Sequence, residues 1–262
     1  MIYIKNIFKN ILYCFTISLL CILIILFIET MFSAFEIKNE YASFISNFIG
    51  YFFVILLLKK IIRKKICIDI QNNNQINKIM AGTICIMFMV YPIVYYSMIR
   101  LILFNNSTII PQYIDESQSI IAFIFHLIKN ACLIPIMEEL LFRKLSFAQL
   151  EHINPTIKIL LTAVLFTLFH IPTGFYVGDV LIAGLSLGFL YKKTGNVTYC
   201  ILAHSAHNLS ACIINRLNYK RIIPFSFDLY IYPYWLSIIC TIIFIATIII
   251  TLIYNRKNDN KN

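Results

Sequence analysis

The chain has 262 residues, 60% of them hydrophobic and 13% charged, with a mean hydropathy of +0.81 and a net charge of +10. Soluble domains carry roughly 25% charged residues, so this composition excludes an ordinary water-soluble fold and leaves no stretch for a separate soluble domain. The excess cations sit in juxtamembrane clusters with no polar domain to present them, so nucleic acid is not expected as a partner.

A membrane-spanning helix needs roughly 20 apolar residues. Apolar runs near residues 7–28, 42–62, 79–104, 118–137, 156–171, 177–191, 197–215 and 230–254 predict an all-α, polytopic membrane bundle of about eight transmembrane helices. The first run follows a basic start, but it is too long for a secretory signal and lacks a small-residue cleavage site, so it reads as a retained helix. Counted from a cytoplasmic N-terminus, the inside segments hold Lys5, Lys9, Lys59, Lys60, Arg63, Lys64, Lys65, Lys78, Arg143, Lys144, Lys158, Lys192, Lys193, Arg256, Lys257 and Lys261. The outside segments hold only Lys38, Arg100, Arg216, Lys220 and Arg221, beside the acids Glu29, Glu36, Glu40, Asp115, Glu116, Asp179 and Asp228. This asymmetry is the positive-inside signature, and it predicts a multi-pass protein of the plasma or inner membrane with both termini cytoplasmic.

Along the chain, residues 1–117 read as N-terminal helices with polar groups only at their ends. Residues 118–215 read as a core in which ionisable groups enter apolar runs, and residues 216–262 as a closing helix and cytoplasmic tail, all within one integrated membrane domain. Cys14, Cys21, Cys67, Cys85, Cys132, Cys200, Cys212 and Cys240 are scattered without a C-x-x-C pair and read as reduced packing residues. Gly184 and Gly188 have the G-x-x-x-G spacing that lets a second helix approach. Pro135 can kink the fourth helix and open backbone groups toward a cavity, and Pro172 and Gly174 end the fifth.

Three elements of the core carry chemistry. Glu138-Glu139-Leu140-Leu141-Phe142-Arg143 places two carboxylates at the cytoplasmic end of the fourth helix, with Glu139 and Arg143 one turn apart as an ion pair and Glu138 turned toward another partner. Phe166-Thr167-Leu168-Phe169-His170 ends an apolar helix on a lone histidine. His204-Ser205-Ala206-His207-Asn208 lies within the seventh helix and projects His204 and Asn208 on nearly one face. Each element alone is compatible with structural roles, an interfacial charge network or interhelical hydrogen bonding. Together they supply a general base for water, a histidine that shares or relays its proton, and a His/Asn pair that donates to a developing oxyanion.

The ordered set E-E-x-x-x-R, F-x-x-x-H and H-x-x-x-N resembles the CPBP intramembrane endopeptidases, which include the Rce1-type CAAX prenyl proteases and the bacterial Abi proteins. The likeness covers roughly residues 118–215 and extends to Pro135, Gly184, Gly188 and the Thr194-Gly195-Asn196 turn. It implies a membrane peptide hydrolase in which Glu138 activates water, Glu139 and Arg143 support it, and His170, His204 and Asn208 complete the site. His207, His126 and His152 fall outside the pattern. The resemblance implies a membrane peptide or a lipidated, CAAX-like protein as substrate, and a bacterial role in peptide processing, bacteriocin immunity or surface regulation. Glu138, His170 and His204 could hold Zn²⁺ with a water in the open position. Asn208 is an unusual zinc ligand and suits an oxyanion hole better, so direct water activation is favoured. A non-catalytic scaffold or immunity protein is the competing reading, followed by a proton-coupled transporter, which would lack the usual interrupted helices and repeats.

Overall fold

The computed structural model of the chain describes residues 2–34, 40–65, 78–103, 119–150, 153–171, 177–219 and 234–259. The loop charges Glu36, Lys38, Asp115, Glu116, Lys220, Arg221 and Asp228 lie outside the described residues, as do Cys67, His152, Pro172 and Gly174. The described residues are all-helical. Helices α1 (Ile2–Ala34), α2 (Glu40–Lys65) and α3 (Lys78–Leu103) precede α4 (Ile120–Gln149). They are followed by α5 (Pro155–His170), α6 (Val177–Thr194), α7 (Val197–Tyr219) and α8 (Tyr234–Asp259).

Four helices contain stretches long and apolar enough to cross a membrane, at Lys9–Phe32, Phe44–Arg63, Ile120–Gln149 and Val197–Ile214. Shorter apolar helices run over Gly82–Tyr95, Pro155–His170 and Trp235–Thr251. Large side chains face outward all along them, with Phe27 64%, Ile120 62% and Ile242 61% exposed. In water such a surface would aggregate, whereas in a bilayer it meets lipid tails, and the chain is a membrane protein.

Local sequence sets the helix ends of the core. Ser119 accepts from the Ala122 N–H at 2.9 Å and caps α4. Asn154 accepts from the Thr156 N–H at 2.9 Å, ahead of Pro155 at the first position of α5. At the α6–α7 turn Gly195 has φ 62°, a left-handed conformation that glycine tolerates, and its N–H bonds the Tyr191 carbonyl at 2.8 Å. Asn196 then caps α7 through the Thr198 N–H at 2.9 Å.

Helix α4 departs from the expected fourth span. The apolar run suggested a helix ending near residue 137, with the acidic pair at its cytoplasmic end. Instead the helix continues to Gln149, so Glu138 sits roughly 16 Å along the axis from that end at about 1.5 Å per residue. Hydropathy stops at the carboxylates, but the backbone ladder does not, because the acids find partners inside the bundle. Two π-helical turns, Lys129–Leu133 and Leu140–Leu145, flank the α-helical Ile134–Glu139 that carries the pair. Asp179, expected on the outer side, is buried in the first turn of α6.

The core lies where α1, α2, α5 and α6 close on α4, around Val54, Leu58, Phe142, Leu145, Phe166 and Val180. A second cluster joins α3, α5, α6 and α7 through Phe88, Ile159, Leu187 and Ala203. Helix α8 closes the bundle against α3, with Cys240 in the shared core, and Ser97 donates to Ser237 at 2.8 Å. Cys14, Cys21, Cys85, Cys132, Cys200, Cys212 and Cys240 are free thiols.

The glycine pair does set a close approach. A Cβ on Gly184 would stand 3.2 Å from the Ala163 Cα and 3.3 Å from its Cβ, and one on Gly188 would stand 3.0 Å from the Ile159 Cγ2. The Gly184 neighbour is backbone and cannot yield. Gly184→Ala is therefore expected to lower stability by about 1–3 kcal/mol, read as a lower thermal midpoint in detergent. Gly82→Ala, with nothing within 4 Å of its Cβ, serves as the control that should show no loss.

Candidate functional site

The site is built on α4, α5 and α7, with one contact from α6. Glu139 and Arg143 are both fully buried. Glu139 Oε2 lies 3.2 Å from Arg143 Nε, and Glu139 Oε1 lies 2.9 Å from His204 Nδ1. Arg143 reaches on to α6, where its Nη2 donates to the Gly184 carbonyl at 3.1 Å. Its guanidinium also lies 4.8 Å from the Phe166 ring centroid. A buried carboxylate thus meets a guanidinium and an imidazole, and the guanidinium meets a carbonyl and a π-face, which is how charge is tolerated at membrane depth.

Glu138, one residue earlier, faces the two histidines. Its Oε1 lies 3.8 Å from His170 Nε2, and its Oε2 lies 3.8 Å from His204 Nε2. The opposite nitrogen of each ring is engaged. His170 Nδ1 donates to the Phe166 carbonyl at 2.8 Å, and His204 Nδ1 donates to Glu139. Both acceptors are oxygens without a proton to give, so each neutral ring carries its hydrogen on Nδ1 and a lone pair on Nε2. Two imidazole lone pairs and a carboxylate therefore converge. Glu138 Oε2 has no hydrogen-bond partner among the described residues. Three converging acceptors can be satisfied together only by something that donates, such as a water molecule or a protonated group.

Phe166 ties the elements together. Its ring lies 4.4 Å from the His170 ring, 5.8 Å from the His204 ring and 5.3 Å from Phe142 in an edge-on contact. The phenylalanine of F-x-x-x-H was quoted in the sequence only as part of a motif; its packing against Arg143 and both histidines needed the fold. Asn208 points its amide into the first π-turn and donates to the Asn130 carbonyl at 2.8 Å. Asp179 is buried close enough to His170 to act on it electrostatically. His207, outside the motif, packs its ring 5.8 Å from that of Tyr91 on α3.

All six residues expected from the sequence, Glu138, Glu139, Arg143, His170, His204 and Asn208, thus belong to one connected region. The ion pair and both histidines meet directly, and Asn208 joins through the backbone of α4. The residues missed were Gly184 as an acceptor, Phe166 as a ring hub, and Asp179. The one available signal for Asp179 was an acid at the start of an apolar helix.

The fit of a metal turns on the donor set. The Nε2 atoms that face Glu138, with engaged Nδ1 atoms, have the orientation metal-ligating histidines adopt. Even so, among the described residues no group of three or more His, Cys, Asp and Glu side chains is arranged to hold a metal ion, and the residues as placed do not form such a site.

Residues 120–210 match the family model for Rce1-like proteins, described as type II CAAX prenyl endopeptidases. The match runs from the start of α4 into α7 and contains every residue of the cluster around Glu138 and Glu139. Residues 120–210 of the chain thus carry an Rce1-like domain. No curated protein and no solved structure matches the chain.

Removal of Arg143 tests the cluster directly. Arg143→Ala leaves the Glu139 carboxylate buried without its cation and is expected to cost about 3–5 kcal/mol, read as a large fall in thermal midpoint or in folded yield from detergent. Wild-type stability of that variant would show that the guanidinium does not hold Glu139.

Proposed function

We propose that the protein is an intramembrane endopeptidase that cleaves a peptide bond of a membrane-embedded or lipidated, CAAX-like substrate by direct activation of water. The Rce1-like family implies a membrane-embedded peptidase of CAAX type; the mechanism and the roles below are our reading. The observation that carries it is the convergence of His170 Nε2 and His204 Nε2, each 3.8 Å from an oxygen of Glu138 on a third helix.

Glu138 Oε2, 3.8 Å from His204 Nε2, is placed to accept from a water held between them. Glu138 takes a proton from that water as its oxygen attacks the substrate carbonyl carbon, and passes it to the leaving nitrogen as the C–N bond breaks. The products are an amine and a carboxylic acid, which ionises to the solvent, and the Glu138 carboxylate is regenerated. His170, steered by the Phe166 carbonyl, shares that proton and keeps the Glu138 carboxyl oriented.

Glu138 and Glu139 together with Arg143 carry one net negative charge, and a buried net charge is costly. One further proton neutralises the cluster. On His204 it makes Nε2 a donor, backed through Nδ1 by Glu139, and that donor together with the second N–H of the Asn208 amide stabilises the oxyanion. Residues 118–215 form the catalytic core in this reading. The helices on either side, 1–117 and 216–262, complete an eight-span bundle with both termini cytoplasmic.

The test uses purified protein in proteoliposomes with a library of membrane peptides, some of them prenylated. Glu138→Gln is expected to reduce cleavage by about 10²–10⁴-fold with folding intact. Equal activity of parent and variant would remove Glu138 as base. A chelator is expected to leave the rate unchanged, whereas a loss restored by added Zn²⁺ would overturn direct water activation. Reporter fusions at the two termini are expected to read cytoplasmic, and an external C-terminus would overturn the eight-span topology.

A further inference from the structure

Within a helix every carbonyl needs an N–H from a later residue, and proline has none to offer. In the first π-turn of α4 the Ile134 N–H bonds the Lys129 carbonyl, five residues back. In that register the next carbonyl, that of Asn130, would take its hydrogen from residue 135, which is Pro135. The α-helical donor is spent and the π-helical donor is missing. The Asn208 amide, from α7, fills the gap at 2.8 Å.

Pro92 lies inside α3, and the His207 ring packs 5.8 Å from that of Tyr91, one residue before it. Neighbouring residues on a helix point about 100° apart, so His207 faces α3 while Asn208 engages α4. His204, one turn back, engages Glu139.

We infer that Pro135 is a positioning residue: it leaves the Asn130 carbonyl for the Asn208 amide of α7, and this latch sets the rotation of α7 at which His204 meets Glu138 and Glu139. Pro135 thereby holds the Asn208 amide by one N–H and leaves the other for substrate. The catalytic half of the inference rests on the proposed roles of His204 and Asn208; the structural half does not.

A double-mutant cycle on the full chain in detergent tests the latch. Pro135→Ala supplies an N–H to the Asn130 carbonyl. Asn208→Ala, expected to lower the thermal midpoint by roughly 4 °C in the parent, should then cost less than about 1 °C in the Pro135→Ala background. Additive losses overturn the latch. If Asn208→Ala fails to fold, its recovery by Pro135→Ala is the expected result, and failure in both backgrounds overturns the latch. Pro135→Ala should also lower kcat about 10-fold, a barrier change near 1.4 kcal/mol, at a nearly unchanged KM and a midpoint no lower than the parent. An unchanged kcat overturns the positioning role. A parent that cleaves no peptide marks failure of the peptidase reading instead, while the thermal cycle still decides the latch.

Discussion

The carboxylate of Glu139 is fully buried in a membrane protein, and the site is organised around making that tolerable. An uncompensated charge at this depth costs more than the bundle's packing could readily offset. Arg143 and His204 take its two oxygens, one from its own helix and one from α7. Arg143 is in turn anchored on α6 by the Gly184 carbonyl and on α5 by Phe166. One buried charge thus ties four helices together. Glu138 inherits the result, since the His204 that serves Glu139 through Nδ1 presents Nε2 to Glu138.

Backbone irregularity sits at the points where these side chains need partners. Two π-turns bracket the acidic pair, and π-turns release carbonyls from the regular ladder. Pro135 leaves the Asn130 carbonyl for Asn208. Gly184 lets α6 approach α5 so closely that its carbonyl comes within reach of Arg143. In lipid no water stands ready to satisfy a freed carbonyl, so each one has to be met by a side chain from a neighbouring helix. The polar residues of α7 are set at the spacing this requires.

Much of the site was legible because ionisable groups in apolar runs are expensive and therefore conspicuous. Glu138, Glu139, Arg143, His170, His204 and Asn208 stand out against Ile, Leu and Phe on every side, and helical spacing alone pairs Glu139 with Arg143. The length of α4 was not legible. Hydropathy averages over side chains and registers two acids and an arginine as the end of a span, whereas the helix continues because those groups are paired inside the bundle. The burial of Asp179 was not legible either, since an acid near a loop shows its surroundings only once the packing around it is known.

The sequence by itself determined that the chain is a helical membrane protein, and which residue types were available for chemistry and on which helices. Composition and spacing carry that information locally, since a side chain's cost in lipid and its face on a helix depend on few neighbours. Only the tertiary structure decided which nitrogen of each histidine faces Glu138, that Phe166 packs against Arg143 and both histidines, and that Asn208 meets a carbonyl that Pro135 cannot pair. Those partners are mostly backbone oxygens or ring faces. Every residue has a carbonyl, so no letter in the sequence marks the one that will be left unpaired beside a neighbouring helix.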